Sequence, residues 1–268
     1  MRGVVIIGAG PAGLMAAETL AQAGVAVTVV DANPRPGRKF LVAGKSGLNL
    51  THSEPLKACI RRFGEQAPRF AKYLEVFPPV ALRAWADSLG AETYVGTSGR
   101  VFPRLFKGAN LLAAWIERLT SLRVRFLGRH RLADLQSTAD GPVAVCTGPR
   151  GERRFAPRAV ILALGGATWT ETGSDGAWTT LLAKLGVPLK PFRPANVGME
   201  VAWPAGIADL AGSPLKTIAL HAGDGEWVRG EAVVTAHGLE GGGIYAVSRT
   251  LRDRLDSGKA AVLHLDLK

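Results

Sequence analysis

The sequence predicts an α/β protein: a Rossmann-like domain with a parallel sheet and a β-meander, followed by a mainly-β domain. Two apolar, β-branched runs carry this prediction, because parallel strands covered on both faces are nearly continuous in hydrophobic residues. These runs are Val4–Ile7 and Ala159–Leu164. A third observation is the stretch GAGPAG at residues 8–13, which directly follows the first run and fits G-x-G-x-x-G. The chain has 268 residues, 47% hydrophobic and 21% charged, so it can bury a core.

The first elements are predicted to form a βαβ unit. A helix is expected from Ala12 to Ala23, where Ala, Leu and Met dominate, and Gly24 can end it. Val25–Val30 is predicted as the second strand, and Asp31 follows it. Strand, glycine motif, helix and acid therefore occur in the order that a dinucleotide site requires. The alternative is a tight turn that binds nothing.

The glycine motif predicts a set of dinucleotide contacts. Gly8 allows the tight turn, Gly10 lets the backbone approach a pyrophosphate, and Gly13 lets the helix pack closely on the strand. The helix N-terminus offers N–H groups to phosphates, and the acid after the second strand can bind ribose hydroxyls. Contacts are therefore expected at Gly8, Gly10, Pro11, Ala12, Gly13, Asp31 and Ala32. The motif alone does not choose between NAD and FAD.

The next distinctive segment is residues 37–52, GRKFLVAGKSGLNLTH, which contains no Cys, Asp or Glu. Without a thiol or a carboxylate, it cannot be a thiol redox centre and offers no acidic base. It reads as a glycine-rich loop whose backbone amides could come close to a flat ring. The alternative is a surface loop with two solvated cations.

The middle of the chain predicts helices and then a meander. Helical patterns cover residues 69–89, broken at Pro78-Pro79, and residues 108–122. Short strand-like runs follow at residues 124–126, 131–135, 143–146 and 154–156, and these read as a meander. The second buried run then ends in Gly165-Gly166. This order of elements is the layout of two-part FAD domains.

Several motifs together resemble a flavoprotein family, the BaiN-like or HI0933-like NAD(P)/FAD-dependent oxidoreductases, which include aminoacetone-oxidase-type flavoproteins. The resemblance extends over nearly the whole chain. One departure is Leu48, because the family commonly has a cysteine there, so a thiol role is not expected in this chain. The matching stretches are residues 8–13, 37–39 leading into Asn49, 99–103, 163–166, 172–176 and 236–239.

The resemblance implies FAD as the cofactor, a FAD-binding domain of the GR2 type, and further site residues. Arg38 and Lys39 would offset phosphate charge, and Leu132 would offer backbone atoms to adenine. Hydrogen bonds near the flavin ring would come from Ser46, Gly47, Leu48 and Asn49. The end of the second buried run would add Ala163, Leu164, Gly165 and Gly166.

The resemblance also predicts the domain organisation. Residues 1–190 are expected to be the FAD-binding domain, and residues 191–268 an incomplete, β-rich inserted domain. In such flavoproteins a C-terminal segment returns to cover the flavin, and this segment is expected to be absent from the 268 residues. The sequence would then be a fragment or a truncated product.

The function implied by the resemblance is FAD-dependent reduction of a conjugated C=C bond with NAD(P)H as electron donor. The substrate would be an enone-type small molecule or uracil in ribosomal RNA. A net charge of +11 leans towards RNA, although cations scattered over the surface explain it equally well. The alternatives are a flavin oxidase or monooxygenase, and a truncated dinucleotide-binding protein without catalytic activity.

The remaining residue types suggest few other sites. His52 and His237 are candidate proton donors, but isolated histidines are more often structural. The five histidines form no metal-ligand spacing, so no metal is expected. Two distant cysteines, and no apolar run long enough to span a membrane, favour the cytoplasm without membrane association. The sequence leaves the oligomeric state open.

Overall fold

The computed structural model describes residues 3–45, 47–105, 107–223 and 225–267. The chain divides into two compact units, Met1–Lys190 and Pro191–Lys268. The strands of the first unit are β1 (Val4–Ile7), β2 (Val27–Val30), β3 (Thr51–His52), β4 (Tyr94–Val95), β5 (Arg100–Phe102), β6 (Arg125–Leu127), β7 (Arg131–Thr138), β8 (Gly141–Gly148), β9 (Gly151–Phe155) and β10 (Ala159–Leu162). Its helices are α1 (Pro11–Gln22), α2 (Arg38–Ala43), α3 (Leu56–Arg61), α4 (Ala67–Val76), α5 (Pro79–Ser88), α6 (Gly108–Ser121) and α7 (Trp178–Lys184).

A four-stranded parallel sheet organises the first unit. Its strand order is β10-β1-β2-β6, with Val4 opposite both Ala159 and Val27. Alternate residues of β1 and β2 enter different cores, because side chains in a strand alternate between the two faces. One core contains Ile6 and Val29 with residues of α1 and α6, and the other contains Val5 and Ile7 with residues of β8. The predicted α/β fold class is confirmed.

The meander has three strands, β7-β8-β9, rather than the run of four that the sequence suggested. The first of those runs forms β6, which pairs in parallel with β2 and extends the main sheet. A three-residue run has too little pattern to reveal its partner, and the pairing is decided by the α6 crossover that precedes it. The meander covers one face of the parallel sheet through Ala144 and Cys146, which are fully buried.

The segment of residues 37–52 contains a helix that the sequence did not predict. Gly37 has φ +76°, and a Cβ added there would lie 2.4 Å from a methyl group of Leu112, so glycine is needed at this bend. Helix α2 follows at once and packs against α6 through Phe40 and Trp115, whose rings are 6.2 Å apart. The segment then ends in β3, which pairs with β5.

A buried carboxylate ties α1 to α5 and α6. Glu18 is only 2% exposed, and one of its oxygens accepts from the indole N–H groups of Trp85 (3.0 Å) and Trp115 (2.6 Å). The other oxygen accepts from Arg118 (3.1 Å) and Gln22 (3.2 Å). A buried charge needs such partners to offset its desolvation. The network therefore fixes the helix that begins at the glycine motif.

The second unit is a five-stranded antiparallel sheet with one long helix. Its sheet order is β11-β14-β13-β12-β15, and its core lies between the sheet and α8, where Leu220 and Ile244 are fully buried. The sequence predicted mainly β-structure here and missed the helix. Among the described residues, no helix is both long and apolar enough to cross a membrane. The elements are β11 (Met199–Glu200), β12 (Pro214–Ala222), β13 (Val228–Thr235), β14 (Gly238–Glu240), α8 (Gly242–Asp256) and β15 (Leu263–Asp266).

Candidate functional site

The three glycines of the G-x-G-x-x-G motif have different surroundings. Gly8 has φ +107°, and a Cβ there would lie 2.2 Å from the Ala163 carbonyl oxygen. A Cβ on Gly13 would lie 1.9 Å from the Gly8 carbonyl oxygen. Gly10, by contrast, has φ −78°, and a Cβ there would meet nothing within 4 Å. Gly8 and Gly13 are therefore required by the protein's own packing, whereas Gly10 faces open space.

That open space belongs to a cavity of about 350 Å³ at the carboxyl edge of the parallel sheet. Ligands bind at this edge in α/β folds because the loops that follow the strands meet there. Ile7 and Val30, the last residues of β1 and β2, form part of its wall. The lining is completed by residues 8–12, 31–33, 38–39, 130–133, 163–165, 172–175, 177–178 and 180–181.

Most of the predicted cofactor residues meet in this cavity. The structure brings together Gly8, Gly10, Pro11, Ala12, Asp31, Ala32, Arg38, Lys39, Leu132, Ala163, Leu164 and Gly165. Gly13, Gly47, Leu48, Asn49 and Gly166 are not among the described residues that line it. Ser46 lies outside the described residues.

The side chain of Leu48, in the predicted ring loop, lies in the protein core. Its side chain is 6% exposed and belongs to the same core as Phe40 and Leu111. A Cβ added to Gly108 would lie 3.5 Å from a Leu48 methyl group, so the side chain packs against the start of α6. An apolar side chain is more stable in that core than at a polar site. Only the backbone of Leu48 is left for a cofactor contact.

The two candidate histidines do not line the cavity. The Nδ1 atom of His52 accepts from the Glu54 N–H (3.0 Å), so its Nε2 atom carries the proton and donates to the Ser98 carbonyl (3.0 Å). His237 is an exposed residue of the second unit, between β13 and β14. Neither histidine has a contact in the structure that identifies it as a proton donor, and their catalytic role stays a prediction.

Asp31 holds the glycine turn in place. One carboxylate oxygen accepts from the Ala9 N–H (2.6 Å), and the other accepts from the N–H (2.7 Å) and side-chain amide (3.1 Å) of Asn33. A carboxylate has about four acceptor positions, so Asp31 can also accept from a ribose hydroxyl. The turn is further tied to the start of α2, because the Gly37 N–H donates to the Ala9 carbonyl (2.8 Å).

One wall of the cavity was not anticipated. Residues 172–175 line it, and together with residues 168–171 they form a segment after β10, here called the 168–175 segment, which is held by side chains from elsewhere in the unit. Arg38 Nε donates to the Glu171 carbonyl (3.1 Å), and Lys39 Nζ donates to the Thr168 carbonyl (2.8 Å). Asn33 Nδ2 donates to the Thr172 carbonyl (3.2 Å). Thr172–Gly176 belonged to the family motif, but it gave no indication of these partners.

An ion pair closes the far end of this wall. Arg131 Nη1 lies 3.0 Å from Asp175 Oδ2. The pKa of the Asp175 carboxyl is lowered, first by the N–H that Ala177 donates to it and also by the Arg131 guanidinium, with desolvation acting in the opposite direction. Three cations and two carboxylates therefore surround the cavity. Arg38 and Lys39 donate to neutral carbonyls, which leaves their charges available to an anion.

The residues present fit a dinucleotide. Gly10 leaves its backbone open to the cavity at the N-terminus of the twelve-residue helix α1, where N–H groups favour an anion. Arg38 and Lys39 add positive charge beside that space. Leu132 and Leu164 give the cavity apolar surface of the kind that packs against a flat base.

Comparison with solved structures finds proteins of low similarity. AlpK has a TM-score of 0.47 at 16% identity, over 99% of this chain and 52% of that one. The 3-ketosteroid-Δ4-(5α)-dehydrogenase from Rhodococcus jostii RHA1, in complex with 4-androstene-3,17-dione, has a TM-score of 0.46 at 18% identity. The match covers 62% of this chain and 46% of the dehydrogenase. Aklavinone-11 hydroxylase, in a ternary complex with FAD and aklavinone, has a TM-score of 0.39 at 18% identity. The match covers 63% of this chain and 34% of the hydroxylase.

The chain spans about half the length of these structures or less, and at such scores they carry no argument about activity. None of the curated proteins matches the chain in sequence. A family model does match it, the one described as HI0933-like protein Rossmann domain, over residues 2–251.

Proposed function

The chain belongs to the HI0933-like family, and on that premise we propose that it is a FAD-dependent oxidoreductase. One observation carries the proposal. Gly10, whose missing side chain leaves a space that no described residue fills, faces the same cavity as Arg38 and Lys39. A backbone that can be approached closely, with two cations beside it, matches the needs of a diphosphate.

The chain's own residues would bind and orient the cofactor, and bound FAD would supply the hydride chemistry. The turn at Gly10 would receive the diphosphate, and Arg38 and Lys39 would balance its charge. Asp31 would accept from a ribose hydroxyl, and the backbone beside Leu132 would contact adenine. The apolar side chains of the cavity would exclude water from the bound dinucleotide.

For the reaction itself, we propose NAD(P)H-linked reduction of a conjugated C=C bond in a small molecule such as an enone, or in uracil of ribosomal RNA. The support is the family resemblance and, for RNA, the net charge of +11. We further propose that residues 1–190 are the FAD-binding domain and that residues 191–268 belong to an inserted domain. Two free cysteines, one of them buried, favour a reducing compartment such as the cytoplasm.

The first test is cofactor retention. We expect the purified 268-residue chain to be yellow, or to become yellow on reconstitution with FAD, with the visible absorbance spectrum of a bound flavin. We expect Gly10→Ala to take up much less FAD under the same conditions. If the wild-type chain is incubated with saturating FAD and retains no flavin absorbance after unbound cofactor is removed, the result would contradict the proposal. It would favour a dinucleotide-binding protein without redox activity.

The second test addresses the reaction. Under anaerobic conditions, NADH and NADPH are each added to the FAD-loaded chain, and bleaching of the flavin spectrum is followed. A cyclic enone and a uracil-containing ribosomal RNA transcript are then compared as oxidants that restore the spectrum. Reoxidation by the enone supports the small-molecule reductase, and reoxidation by the transcript supports the RNA reductase. Rapid reoxidation by oxygen alone would instead indicate an oxidase or monooxygenase.

A further inference from the structure

The 168–175 segment depends on contacts made by Arg38 and Lys39. Each of these residues gives one hydrogen bond to a carbonyl of the segment, at Glu171 and at Thr168. Both cations also line the cavity. Each cation therefore contacts the segment and is also available to a diphosphate in the cavity.

Each contact uses a single N–H group. A guanidinium carries five N–H donors and an ammonium three. Arg38 can therefore donate from Nε to the Glu171 carbonyl while its other N–H groups donate to a phosphate, and Lys39 can likewise serve two acceptors. A neutral carbonyl and an anion do not compete for the same proton in this arrangement.

The segment itself has a conformation that needs external support. Trp169 has φ +61° and ψ +58°, a left-handed conformation that is rare for a bulky residue and costs free energy. Its carbonyl accepts from the backbone N–H (2.8 Å) and the hydroxyl (2.7 Å) of Thr172, which hold the turn closed. The Trp169 side chain is 60% exposed, so burial of the indole contributes little to holding the segment.

We propose that Arg38 and Lys39 are positioning residues that couple diphosphate binding to the ordering of the 168–175 segment. This inference rests on the proposed dinucleotide site. Long cationic side chains such as the exposed Arg38 and the half-buried Lys39 lose rotamer freedom when they are fixed in one geometry. A bound diphosphate fixes both side chains in advance, so their hydrogen bonds to the segment form at a smaller entropic cost. Ligand and segment then stabilise each other, as linkage requires.

The test follows cleavage of the bond after Glu171 by a glutamyl endopeptidase. Glu171 is exposed and its carbonyl is the acceptor of the Arg38 contact, so this bond reports on opening of the segment. Fragments are quantified by mass spectrometry for the full chain alone, with inorganic pyrophosphate, and with FAD. Cleavage after exposed Glu226 in the second unit serves as the internal reference, and sulfate at equal ionic strength as the anion control.

We expect pyrophosphate and FAD each to slow cleavage after Glu171 by about tenfold in the wild-type chain, the factor that one strengthened charge-assisted contact provides. The double variant Arg38→Ala/Lys39→Ala should be cleaved at the same rate with and without ligand. The exposed Arg35→Ala variant, which loses one cation outside the cavity lining, should behave as wild type. The exchange Arg38→Lys/Lys39→Arg, which keeps both charges, should retain part of the protection.

The outcomes separate the two proposals. If FAD binds, as visible absorbance of the retained cofactor reports, but cleavage after Glu171 stays unchanged or becomes faster, the coupling is refuted and the cofactor site stands. If the double variant binds FAD and keeps full protection, the coupling does not run through these two cations. If the chain binds neither FAD nor pyrophosphate, the dinucleotide site itself is refuted.

Discussion

Replacing Gly10 by alanine should separate cofactor binding from folding, because the added methyl group meets no protein atom within 4 Å. The backbone of Gly10 has φ −78°, which alanine adopts without strain. Removing a glycine restricts the unfolded chain, which favours folding by about 0.4–1 kcal/mol. Gly10 is also the N-cap of α1, where alanine is less favourable than glycine by a similar amount, so we expect the free energy of unfolding of the apo protein to change by less than about 1 kcal/mol. The same methyl group stands where a diphosphate must approach the backbone. Such overpacking costs about 1–3 kcal/mol, so FAD should bind roughly 5- to 150-fold more weakly.

Two matched variants complete the experiment. In Gly13→Ala the new Cβ would lie 1.9 Å from the Gly8 carbonyl oxygen, so the apo protein itself should lose stability. In Gly166→Ala the Cβ meets no described atom within 4 Å, so stability should not fall, and a loss of FAD affinity would place Gly166 at the cofactor as the family resemblance predicts. Thermal unfolding of the apo proteins and titration of FAD by flavin fluorescence provide both quantities. Unchanged FAD affinity in Gly10→Ala, or destabilisation as large as in Gly13→Ala, would refute the assignment of Gly10 to the cofactor.

Three further outcomes are expected. Glu18→Gln should lower the free energy of unfolding by about 1.5–3 kcal/mol, because it removes the charge that accepts hydrogen bonds from Trp115 and Arg118. Urea unfolding measures this, and an unchanged midpoint would show that the network is not stabilising. Leu48→Ala should lower the free energy of unfolding by about 2–4 kcal/mol as a core truncation, while FAD affinity is retained. Weaker FAD binding at unchanged stability would show instead that the Leu48 side chain contacts the cofactor. Burial raises the pKa of the Cys146 thiol from 9.0 to about 11. The unfolded chain therefore ionises first, and stability should fall by about 1–2 kcal/mol as pH rises from 9 to 11, a slope that Cys146→Ala should lack.

The sequence was sufficient for the elements whose pattern is local. The run Val4–Ile7, the glycine motif and the Ala-rich helix gave β1, α1 and β2 within two residues of their ends. The pair Pro78-Pro79 likewise located the break between α4 and α5. Helix α2 was not predicted because six residues after the left-handed Gly37 are too few to show a helical hydrophobic pattern. Its stability comes from packing on α6.

Helix α8 was missed although its pattern was present. Ile244, Val247 and Leu251 recur at helical spacing and are all buried against the sheet of the second unit. The helix begins with glycines at positions 242 and 243, which read as a turn. A Cβ on Gly243 would lie 2.5 Å from a Leu220 methyl group, so this glycine serves close packing of helix on sheet.

In the candidate site, too, the sequence predicted residues with a local pattern and missed long-range partners. Residues of the glycine motif and Asp31 were found because the motif specifies their spacing. Asn33 and Thr172 were missed because they are 139 residues apart and meet only after β10 pairs with β1. Leu48 was assigned to the flavin by analogy with the family's cysteine position, but its own chemistry favours the core. Long-range partners cannot be read from one sequence.

The pairing of β10 with β1 also constrains when the protein can first hold its ligand. The carbonyl of Ala163, which the tight turn at Gly8 packs against, is made roughly 150 residues after that turn. At a synthesis rate of about 5–20 residues per second, the N-terminal part of the pocket would wait about 8–30 s for β10, and longer for the lining residues that follow β10. A nascent chain during that interval has the fingerprint of a nucleotide-binding protein but no enclosed pocket. FAD can therefore assist only the last stage of maturation.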